Sequence, residues 1–289
     1  MKLCAFASLA LFAVAVVGDA PVAPGSKEWG YREHDANMYG PSQWGIAFPK
    51  CNGSRQSPID ITTGTCGEYS NGQSLQFDGE CTAFKMKQTS DSYKGEVQSG
   101  TCTVAANSAK YSMLQFHIHS PSEHTVDGKV YDAEAHFVHR SEDGSKLLVV
   151  GLFLQKEANA NTDPWLASVW NTLSNVNSNK TTSIELGSYA SVLQSQVAKG
   201  HLYNYPGSLT TPSCDEIVDW WVIETPLAVS PEDFDQFQQH LARLPVTDKG
   251  NGARPVQPLN GREISIYSAS NRSFLIETVA ATFANGSSF

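Results

Sequence analysis

Residues 114–139, LQFHIHSPSEHTVDGKVYDAEAHFVH, contain two runs in which side chains alternate between the two faces of an extended chain. The first run places three apolar residues on one face, which are Leu114, Phe116 and Ile118. It places an amide and two imidazoles on the other face, which are Gln115, His117 and His119. The second run has one face made of Glu134, His136 and Val138. A period of two is typical of β-strands, and the Asp-Gly turn at 127–128 predicts that the runs pair as antiparallel neighbours.

Three imidazoles, those of His117, His119 and His136, would then meet at one point on the sheet. The two on the first strand lie about 7 Å apart along the chain, which is twice the usual rise per residue. Isolated histidines are ordinarily surface or satisfied core residues, but two at i and i+2 with a third on the partner strand indicate a metal site. Three neutral imidazoles form the ligand set of a catalytic zinc whose fourth position stays open. The sequence therefore predicts a Zn²⁺ cofactor.

The amino terminus predicts export from the cell or into a lumen. Lys2 precedes an apolar run over 3–17, and small residues follow at 18–20, which is the pattern of a secretory signal peptide. The run is too short to span a bilayer, so residues 1–20 are predicted to be removed and the mature chain to have no transmembrane span. A secreted or lumenal protein could carry N-linked glycans at Asn52, Asn179, Asn271 and Asn285.

Length and composition predict one large domain. The chain has 289 residues, of which 40% are hydrophobic and 17% charged, and its net charge of −9 argues against a nucleic-acid partner. Short alternating runs separated by Gly and Pro predominate, and helical patterns occur at 163–170, 184–196 and 230–244. The predicted fold class is mainly β (α+β), with a large central, mostly antiparallel twisted sheet and short peripheral helices.

The histidine-bearing stretch resembles the α-class carbonic anhydrases, and three further motifs extend the resemblance. These are WGY at 29–31, RQSPIDI at 55–61 and YPGSLTTPSC at 205–214. The resemblance covers residues 29–267, so a catalytic domain with the α-carbonic anhydrase fold is assigned to 21–267 and a tail without a placed counterpart to 268–289. It implies a zinc enzyme in which a zinc-bound hydroxide attacks CO2 to give bicarbonate and a proton.

The resemblance also implies how the metal is held. His117 and His119 would bind zinc through the outer ring nitrogen, and His136 through the inner one. Gln115 and Glu134 each stand two residues before a ligand and on its face of the strand. They are predicted to accept the hydrogen bond that fixes the ligand's tautomer.

Further site residues follow from the resemblance alone. Thr210 would accept a hydrogen bond from the hydroxide and donate one to Glu123, which uses both capacities of a hydroxyl group. Tyr31 would lie at the wall of the active-site cavity. Substrate and product would contact a mostly apolar set, which is Val138, Val149, Leu209, Thr211, Val218 and Trp220.

One departure from the family pattern concerns proton transfer. Thr82 stands where the family's best-known proton-shuttle histidine is expected, just before Ala83 and Phe84. Threonine does not titrate near neutrality, so we expect hydration to depend on buffer or on a substitute group. The candidates are Glu80, Lys85 and His34.

The cysteines predict two disulfides and one odd thiol. The resemblance implies a bridge between Cys51 and Cys214. A hairpin centred at 91–92 would place Cys81 directly opposite Cys102, close enough for a second bridge. Cys66 is left over, either as an inert buried thiol or as the link of a homodimer.

Two other functions fit parts of the sequence. The spacing His117-x-His119-x3-Glu123 matches the first motif of the cupins, in which the glutamate itself binds iron or manganese. The glycines expected at fixed offsets are replaced by Tyr111 and Val130. A non-catalytic extracellular relative that acts as a binding protein is the second alternative, although such relatives usually lack a metal-binding histidine.

Overall fold

The structure is a computed structural model that describes residues 27–66 and 74–268. Thirteen strands occur in these residues, namely β1 Glu28–Trp29, β2 Met38–Tyr39, β3 Asp60–Ile61, β4 Gln76–Gln88, β5 Tyr93–Ala106, β6 Ala109–His119, β7 Thr125–Val126, β8 Ala133–Ser141, β9 Leu147–Lys156, β10 Thr182–Glu185, β11 His201–Gly207, β12 Val218–Val229 and β13 Ser265–Ser268. The same residues contain four α-helices, which are α1 Trp44–Ala47, α2 Pro164–Thr172, α3 Tyr189–Val197 and α4 Pro231–Leu241.

A nine-stranded sheet forms the centre of the molecule, in the order β10-β4-β5-β6-β8-β9-β12-β11-β13. Within this sheet β9 and β12 run parallel, and all the other neighbours are antiparallel. Two small parallel pairs, β1–β2 and β3–β7, lie outside it. The predicted fold class, a large and mostly antiparallel sheet with few short helices, is confirmed.

The two faces of the sheet carry different structures. Phe116 and Phe137 point to one face and pack in a core with the apolar residues of α2, α3 and α4. Their neighbours on the same strands point to the opposite face, where Val138 packs with Val149 and Trp220. Successive residues of a strand alternate in this way because the backbone is pleated. One face of the sheet is therefore a helix-covered core, and the other is available for a site.

The prediction that Leu114 shares the oily face with Phe116 and Ile118 is wrong. The β6–β8 register shifts between Met113 and Gln115, so Leu114 has no paired residue on β8. Met113 takes the position in the helix-covered core, and Leu114 packs with the opposite cluster. A bulge of this kind re-aims side chains locally.

Two of the three predicted helices begin where their capping residues indicate. Asp163 Oδ1 accepts the Trp165 amide at 2.8 Å at the start of α2, and Ser230 Oγ accepts the Asp233 amide at 3.1 Å at the start of α4. The third prediction, helix over 184–196, is wrong at its beginning. Ile184 lies in β10 opposite Phe84, because the edge of the sheet offers backbone partners that local helical propensity does not outweigh.

Both predicted disulfides are present. Cys51 joins Cys214 with a Cα–Cα distance of 4.9 Å, and Cys81 joins Cys102 with 5.4 Å. The predicted register of the second bridge was wrong, because Cys102 lies opposite Gly79 rather than Cys81. The β4–β5 register shifts between positions 80 and 84, and this irregularity brings the two cysteines together diagonally.

Several predictions are not tested by the described residues. The signal peptide at 1–20, the tail beyond residue 268 and the sequons at Asn271 and Asn285 lie outside the described residues. Asn52 and Asn179 are exposed, and their glycosylation stays a prediction. In the described part of the chain, no helix has the length and apolar character needed to cross a membrane.

Cys66 has no disulfide partner among the described residues. Its Sγ lies 3.4 Å from the Thr62 carbonyl oxygen, and partial burial raises the pKa of the thiol. The homodimer linked through this thiol stays a prediction.

Candidate metal centre

The pairing of β6 with β8 brings three histidines together. His117 lies directly opposite His136, and His119 lies opposite Glu134 in the same register. The ring centroids are 4.9 Å apart for His117 and His119, 5.2 Å for His117 and His136, and 4.8 Å for His119 and His136. One nitrogen from each ring lies within 4.8 Å of the corresponding nitrogens of the others. The three imidazoles therefore share a vertex.

The nitrogen of each ring that does not face the shared vertex is fixed by a hydrogen bond. His117 Nδ1 donates to Gln115 Oε1 at 2.9 Å, His119 Nδ1 donates to the Gly252 carbonyl at 2.7 Å, and His136 Nε2 donates to a Glu134 carboxylate oxygen at 2.9 Å. These bonds leave Nε2 of the first two rings and Nδ1 of the third directed to the shared vertex. Acceptors of this kind set the tautomer that a metal requires.

The site suits a cation that binds neutral imidazole. His119 Nε2 is buried and has no hydrogen-bond partner in the described chain. Burial, with the neighbouring imidazoles adding to it, holds the pKa of His117 well below its ordinary value, and burial also lowers the pKa of His136. Neutral imidazole is the form that binds metals. The unpartnered, buried His119 Nε2 lies within 4.8 Å of a ring nitrogen of His117 and of His136, and this donor set fits a Zn²⁺ ion.

Glu134 accepts hydrogen bonds from the ligand His136, from His124 and from the backbone. Its Oε2 accepts the backbone amides of Glu123 at 2.9 Å and His124 at 2.8 Å, and its Oε1 accepts from both His136 and His124. Burial disfavours the charged form of this carboxyl, but His124 and His136 outweigh it and hold its pKa well below the usual value. Glu134 therefore stays ionised and orients His136.

His124 is a buried residue of the site that the sequence did not reveal. Its Nδ1 donates to Glu134 Oε1 at 2.7 Å, and its Nε2 lies 2.6 Å from the Tyr205 hydroxyl, which is 2.8 Å from Ser57 Oγ. The group His124, Glu134 and His136 also has metal-binding residue types. Its donor atoms are engaged with one another and with the backbone, so it fits a structural network better than a metal site. His124 follows Glu123 in an irregular segment, where no periodicity marks it.

Glu123 lies beside the imidazoles of His119 and His136. Its Oε1 accepts the Arg254 amide at 2.9 Å, whereas its buried Oε2 has no donor among the described residues and lies 3.5 Å from His119 Nε2. The hydrogen bond from Thr210 to Glu123 that the family resemblance implied is absent from these contacts. Glu123 Oε2 is therefore a buried acceptor that is still free.

Arg254, also not predicted, connects this carboxylate to the rest of the fold. Its guanidinium donates to Gln56 Oε1 at 2.9 Å and to the carbonyls of Ser57 at 2.8 Å and Cys51 at 3.1 Å. Burial lowers the pKa of Arg254 to about 10. The RQSPIDI segment thus supports the backbone that holds Glu123.

A cavity of about 370 Å³ opens above the imidazoles of His117 and His136. Five of the six predicted substrate-contacting residues line it, which are Val138, Val149, Leu209, Thr211 and Trp220. Thr210 also lines the cavity, and so do Leu114 and Leu147, which were not predicted. Val218 is buried in the adjacent apolar cluster and is not part of the cavity wall. One side of the cavity is therefore an apolar wall.

Tyr31 is placed differently from the prediction. It does not line this cavity but a separate surface pocket that also contains His34. Its ring packs against Trp29 and Trp44, and burial, followed by the charge of Asp91, raises the pKa of its hydroxyl well above the ordinary value. Its packing is thus settled, while a catalytic role stays a prediction.

The positions on β4 that were considered for proton transfer do not line the cavity. Thr82, Glu80 and Lys85 are exposed on β4 and are not among its lining residues. The charged lining residues are Lys87, Asp91, Lys94, Glu96 and Arg140. None of these was predicted, because their position depends on the register of β4, β5 and β8.

The architecture and the site together define a class of protein. A large antiparallel sheet with few helices carries on its open face three convergent imidazoles and an apolar cavity, which is the arrangement of an α-carbonic anhydrase-like fold. A family model for eukaryotic-type carbonic anhydrases matches residues 39–268. The chain belongs to this family.

Individual relatives agree with the assignment. A carbonic anhydrase of Nostoc sp. is 36% identical over 250 residues, covering 84% of this chain and 87% of the relative. The structure of an α-carbonic anhydrase from Thermovibrio ammonificans with the inhibitor sulfanilamide has 30% identity and a TM-score of 0.69, covering 83% of this chain and 100% of the other. A dioscorin complexed with ascorbate has 26% identity and a TM-score of 0.71, covering 84% and 98%. Several curated relatives are carbonic anhydrases, so this chain is an enzyme of that class.

Proposed function

We propose that this protein catalyses the reversible hydration of CO2 to bicarbonate with a zinc ion bound by His117, His119 and His136. The observation that carries the proposal is the shared vertex of three imidazoles, each with its other nitrogen already hydrogen-bonded. When bound, zinc lowers the pKa of a coordinated water and so supplies a nucleophile at neutral pH, an effect for which carbonic anhydrases are the standard example.

The apolar wall would hold the substrate. CO2 has no net charge, and Val138, Val149 and Trp220 present an apolar surface beside the imidazoles. An apolar surface binds such a molecule without offering it hydrogen bonds that would have to break before reaction. The buried indole of Trp220 is held in place because its Nε1 donates to the Ser208 carbonyl at 2.9 Å.

Thr210 and Glu123 would orient the attacking water. Thr210 lines the cavity, and Glu123 has a buried oxygen without a donor. A hydroxyl that accepts from the water must give its own proton to another acceptor, and the free Oε2 of Glu123 suits that role. The Arg254 amide holds the other carboxylate oxygen. We propose that this hydrogen bond forms in the loaded enzyme.

Proton release is proposed to depend on the buffer. The imidazoles that line the cavity are those of His117 and His136, both assigned to the metal. The other ionisable lining residues are Lys, Arg, Asp and Glu, and side chains of these types exchange protons far from neutrality in water. The proton would therefore leave through mobile buffer.

The alternative functions fit the structure less well. Cupins are double-sheet jelly rolls, whereas this chain has a nine-stranded sheet with both edges open. A purely non-catalytic role would not require three oriented imidazoles beneath an open cavity. We also propose that the protein is secreted or lumenal, since its two disulfides agree with an oxidising compartment.

Stopped-flow measurement of CO2 hydration tests the proposal. Zinc-loaded protein should accelerate hydration, zinc-stripped protein should not, and addition of one equivalent of zinc should restore the rate. The His117→Ala variant, treated in the same way, should bind zinc poorly and stay inactive. Equal rates for stripped and loaded protein would reject the proposal.

A further inference from the structure

Gln56 is a buried amide that joins three segments of the chain, and only 3% of the residue is exposed. Its Nε2 lies within hydrogen-bond distance of three acceptors, which are the Lys50 carbonyl at 3.0 Å, the Cys214 carbonyl at 3.2 Å and a Glu216 carboxylate oxygen at 2.9 Å. Its Oε1 accepts from the Arg254 guanidinium at 2.9 Å. Both ends of the amide therefore have partners, and each end suits its partners in hydrogen-bonding character.

One of the joined segments is the end of the loop over 209–215, which carries Thr210. This loop is closed by its own backbone, because the Leu209 amide donates to the Asp215 carbonyl at 3.0 Å. The position of a loop closed in this way depends on the contacts that hold its end. Gln56 supplies two of these contacts through its Nε2.

The other end of the same amide leads to Glu123. The Arg254 guanidinium donates to Gln56 Oε1, and the Arg254 backbone amide donates to Glu123 Oε1 at 2.9 Å. Arg254 is itself 3% exposed, so this connection is shielded from water. A single buried side chain thus contacts both the end of the loop that carries Thr210 and the residue that holds Glu123.

We propose that Gln56 is a positioning residue that sets the distance between the Thr210 hydroxyl and Glu123 Oε2. The inference rests on the proposed function, in which this hydroxyl donates to this carboxylate oxygen in the loaded enzyme. Such a bond needs the two oxygens about 2.7 Å apart, and they belong to separate segments. A misplacement of about 1 Å at a reacting centre can cost about a hundredfold in rate.

Hydrogen exchange followed by mass spectrometry tests the structural part of this inference in zinc-loaded protein. Gln56→Met removes the amide and keeps an unbranched side chain of similar length. We expect exchange to become severalfold faster at 208–217 and at 252–257, because buried hydrogen bonds in these segments are lost. Exchange in β6 and β8, which carry the imidazoles, should stay at the wild-type rate. Gln236→Met, the same change at an exposed position of α4, should leave all of these rates unchanged.

Gln56→Glu separates the two contacts and provides a second test if Gln56→Met does not fold. Glutamate keeps an acceptor for the Arg254 guanidinium, but its other oxygen faces the three acceptors that the amide nitrogen of Gln56 contacts. We therefore expect faster exchange at 208–217 and exchange close to that of the wild type at 252–257.

Kinetics test the functional part of the inference. Gln56→Met should lower kcat/KM for CO2 hydration about tenfold, and zinc affinity, measured by competition with a chelator, should not change. In the Thr210→Ala background, Gln56→Met should have little further effect, because the hydroxyl that Gln56 positions is already absent. A purely structural role of Gln56 would instead lower kcat/KM by the same factor in both backgrounds.

Two results would overturn the inference. One is unchanged exchange at 208–217 in the Gln56 variants, and the other is an equal loss of kcat/KM with and without Thr210. A wild type that does not hydrate CO2 would reject the proposed function, and the exchange rates alone would then decide whether Gln56 sets the placement of the two segments.

Discussion

Each of the three imidazoles has one acceptor that fixes its orientation, and Gln115 is the acceptor that can be removed with least disturbance. Its Oε1 accepts from His117 Nδ1 at 2.9 Å, and the residue is only partly buried. We predict that Gln115→Leu weakens zinc affinity about tenfold, because the His117 ring loses the partner that sets its tautomer. Competition with a zinc chelator measures the affinity.

The thermal midpoint of the metal-free Gln115→Leu variant should stay close to that of the metal-free wild type. An unchanged zinc affinity would contradict the assigned role of Gln115. A matched control is Gln98→Leu, which makes a similar change on an exposed part of β5.

His139 gives a pH dependence of stability that is separate from catalysis. It is fully buried on β8, with Nε2 2.9 Å from the Tyr189 hydroxyl, and burial lowers its pKa to about 4. The unfolded chain takes up this proton below about pH 6.5, but the folded protein does so only below about pH 4. The folded state therefore loses stability as the pH falls through this window.

We predict that the stability advantage of the wild type over His139→Gln shrinks by about 2 kcal/mol between pH 7 and about pH 4.5. Glutamine does not titrate, so the variant lacks the proton uptake that destabilises the wild type. Urea unfolding at the two pH values measures the difference. A constant difference across this range would show that His139 does not titrate on unfolding.

Asp91 lies in the turn between β4 and β5 and lines the cavity, which makes it a suitable position for a new proton carrier. Wild-type hydration should speed up severalfold as imidazole buffer is raised, because the only histidines that line the cavity within the described residues are His117 and His136, both assigned to the metal. We predict that Asp91→His raises the rate at low buffer and reduces this dependence, as measured by stopped flow. Asp91→Asn is the control, and identical buffer curves for all three proteins would refute the prediction.

Single-residue prediction worked where a periodic pattern and the family resemblance coincided. The alternation around His117 and His119 predicted correctly that their side chains share one face. It could not identify His124, which lies in an irregular segment, or Arg254, whose amide reaches Glu123 from a position 131 residues further along the chain. Thr82 was matched to the family's proton-shuttle position through its neighbours Ala83 and Phe84. The residues of this hairpin that line the cavity lie closer to its turn, for example Lys87 and Asp91.

At the scale of elements, the two disulfides support different parts of the structure. Cys51 and Cys214 belong to the segments around the site, since their carbonyl oxygens accept hydrogen bonds from Arg254 and Gln56. Cys81 and Cys102 instead join β4 to β5 about 25 Å along the strand from Lys94. The first bridge is therefore coupled to the site, and the second is not.

We predict that replacing Cys81 and Cys102 by Ser lowers the free energy of unfolding by about 3 kcal/mol and leaves CO2 hydration unchanged. Replacing Cys51 and Cys214 should reduce both stability and activity, because the loop that carries Thr210 and Thr211 loses its anchor. Chemical unfolding and stopped-flow assays of the two double variants give the comparison. Equal losses of activity in both would contradict this division.

Element prediction was limited by competition between local and long-range pairing. The capping residues Asp163 and Ser230 marked helix starts correctly because their hydrogen bonds are local. The helix predicted over 184–196 overlaps an edge strand at its start, since Ile184 and Glu185 belong to β10. The hairpin joining β4 and β5 was expected, but its bulge was not, because a single sequence does not show where an extra residue is accommodated.

At the scale of the whole molecule, the fold class could be predicted because many short alternating runs with few helices leave a large sheet as the main option. The order of the nine strands could not, since it joins segments far apart in sequence, such as β9 with β12 and β4 with β10. The family resemblance supplied the architecture that periodicity alone did not. The site depends on that order, because β5, β6 and β8 must be neighbours for Lys94, His117 and His136 to lie in one row.

The central claim is that one zinc ion is held by three strand-borne imidazoles, and anomalous diffraction at the zinc edge tests it most directly. Crystals of the zinc-loaded protein should show one strong peak about 2.0–2.1 Å from Nε2 of His117, Nε2 of His119 and Nδ1 of His136. A peak instead at His124, Glu134 and His136, or no peak at either group, would contradict the account.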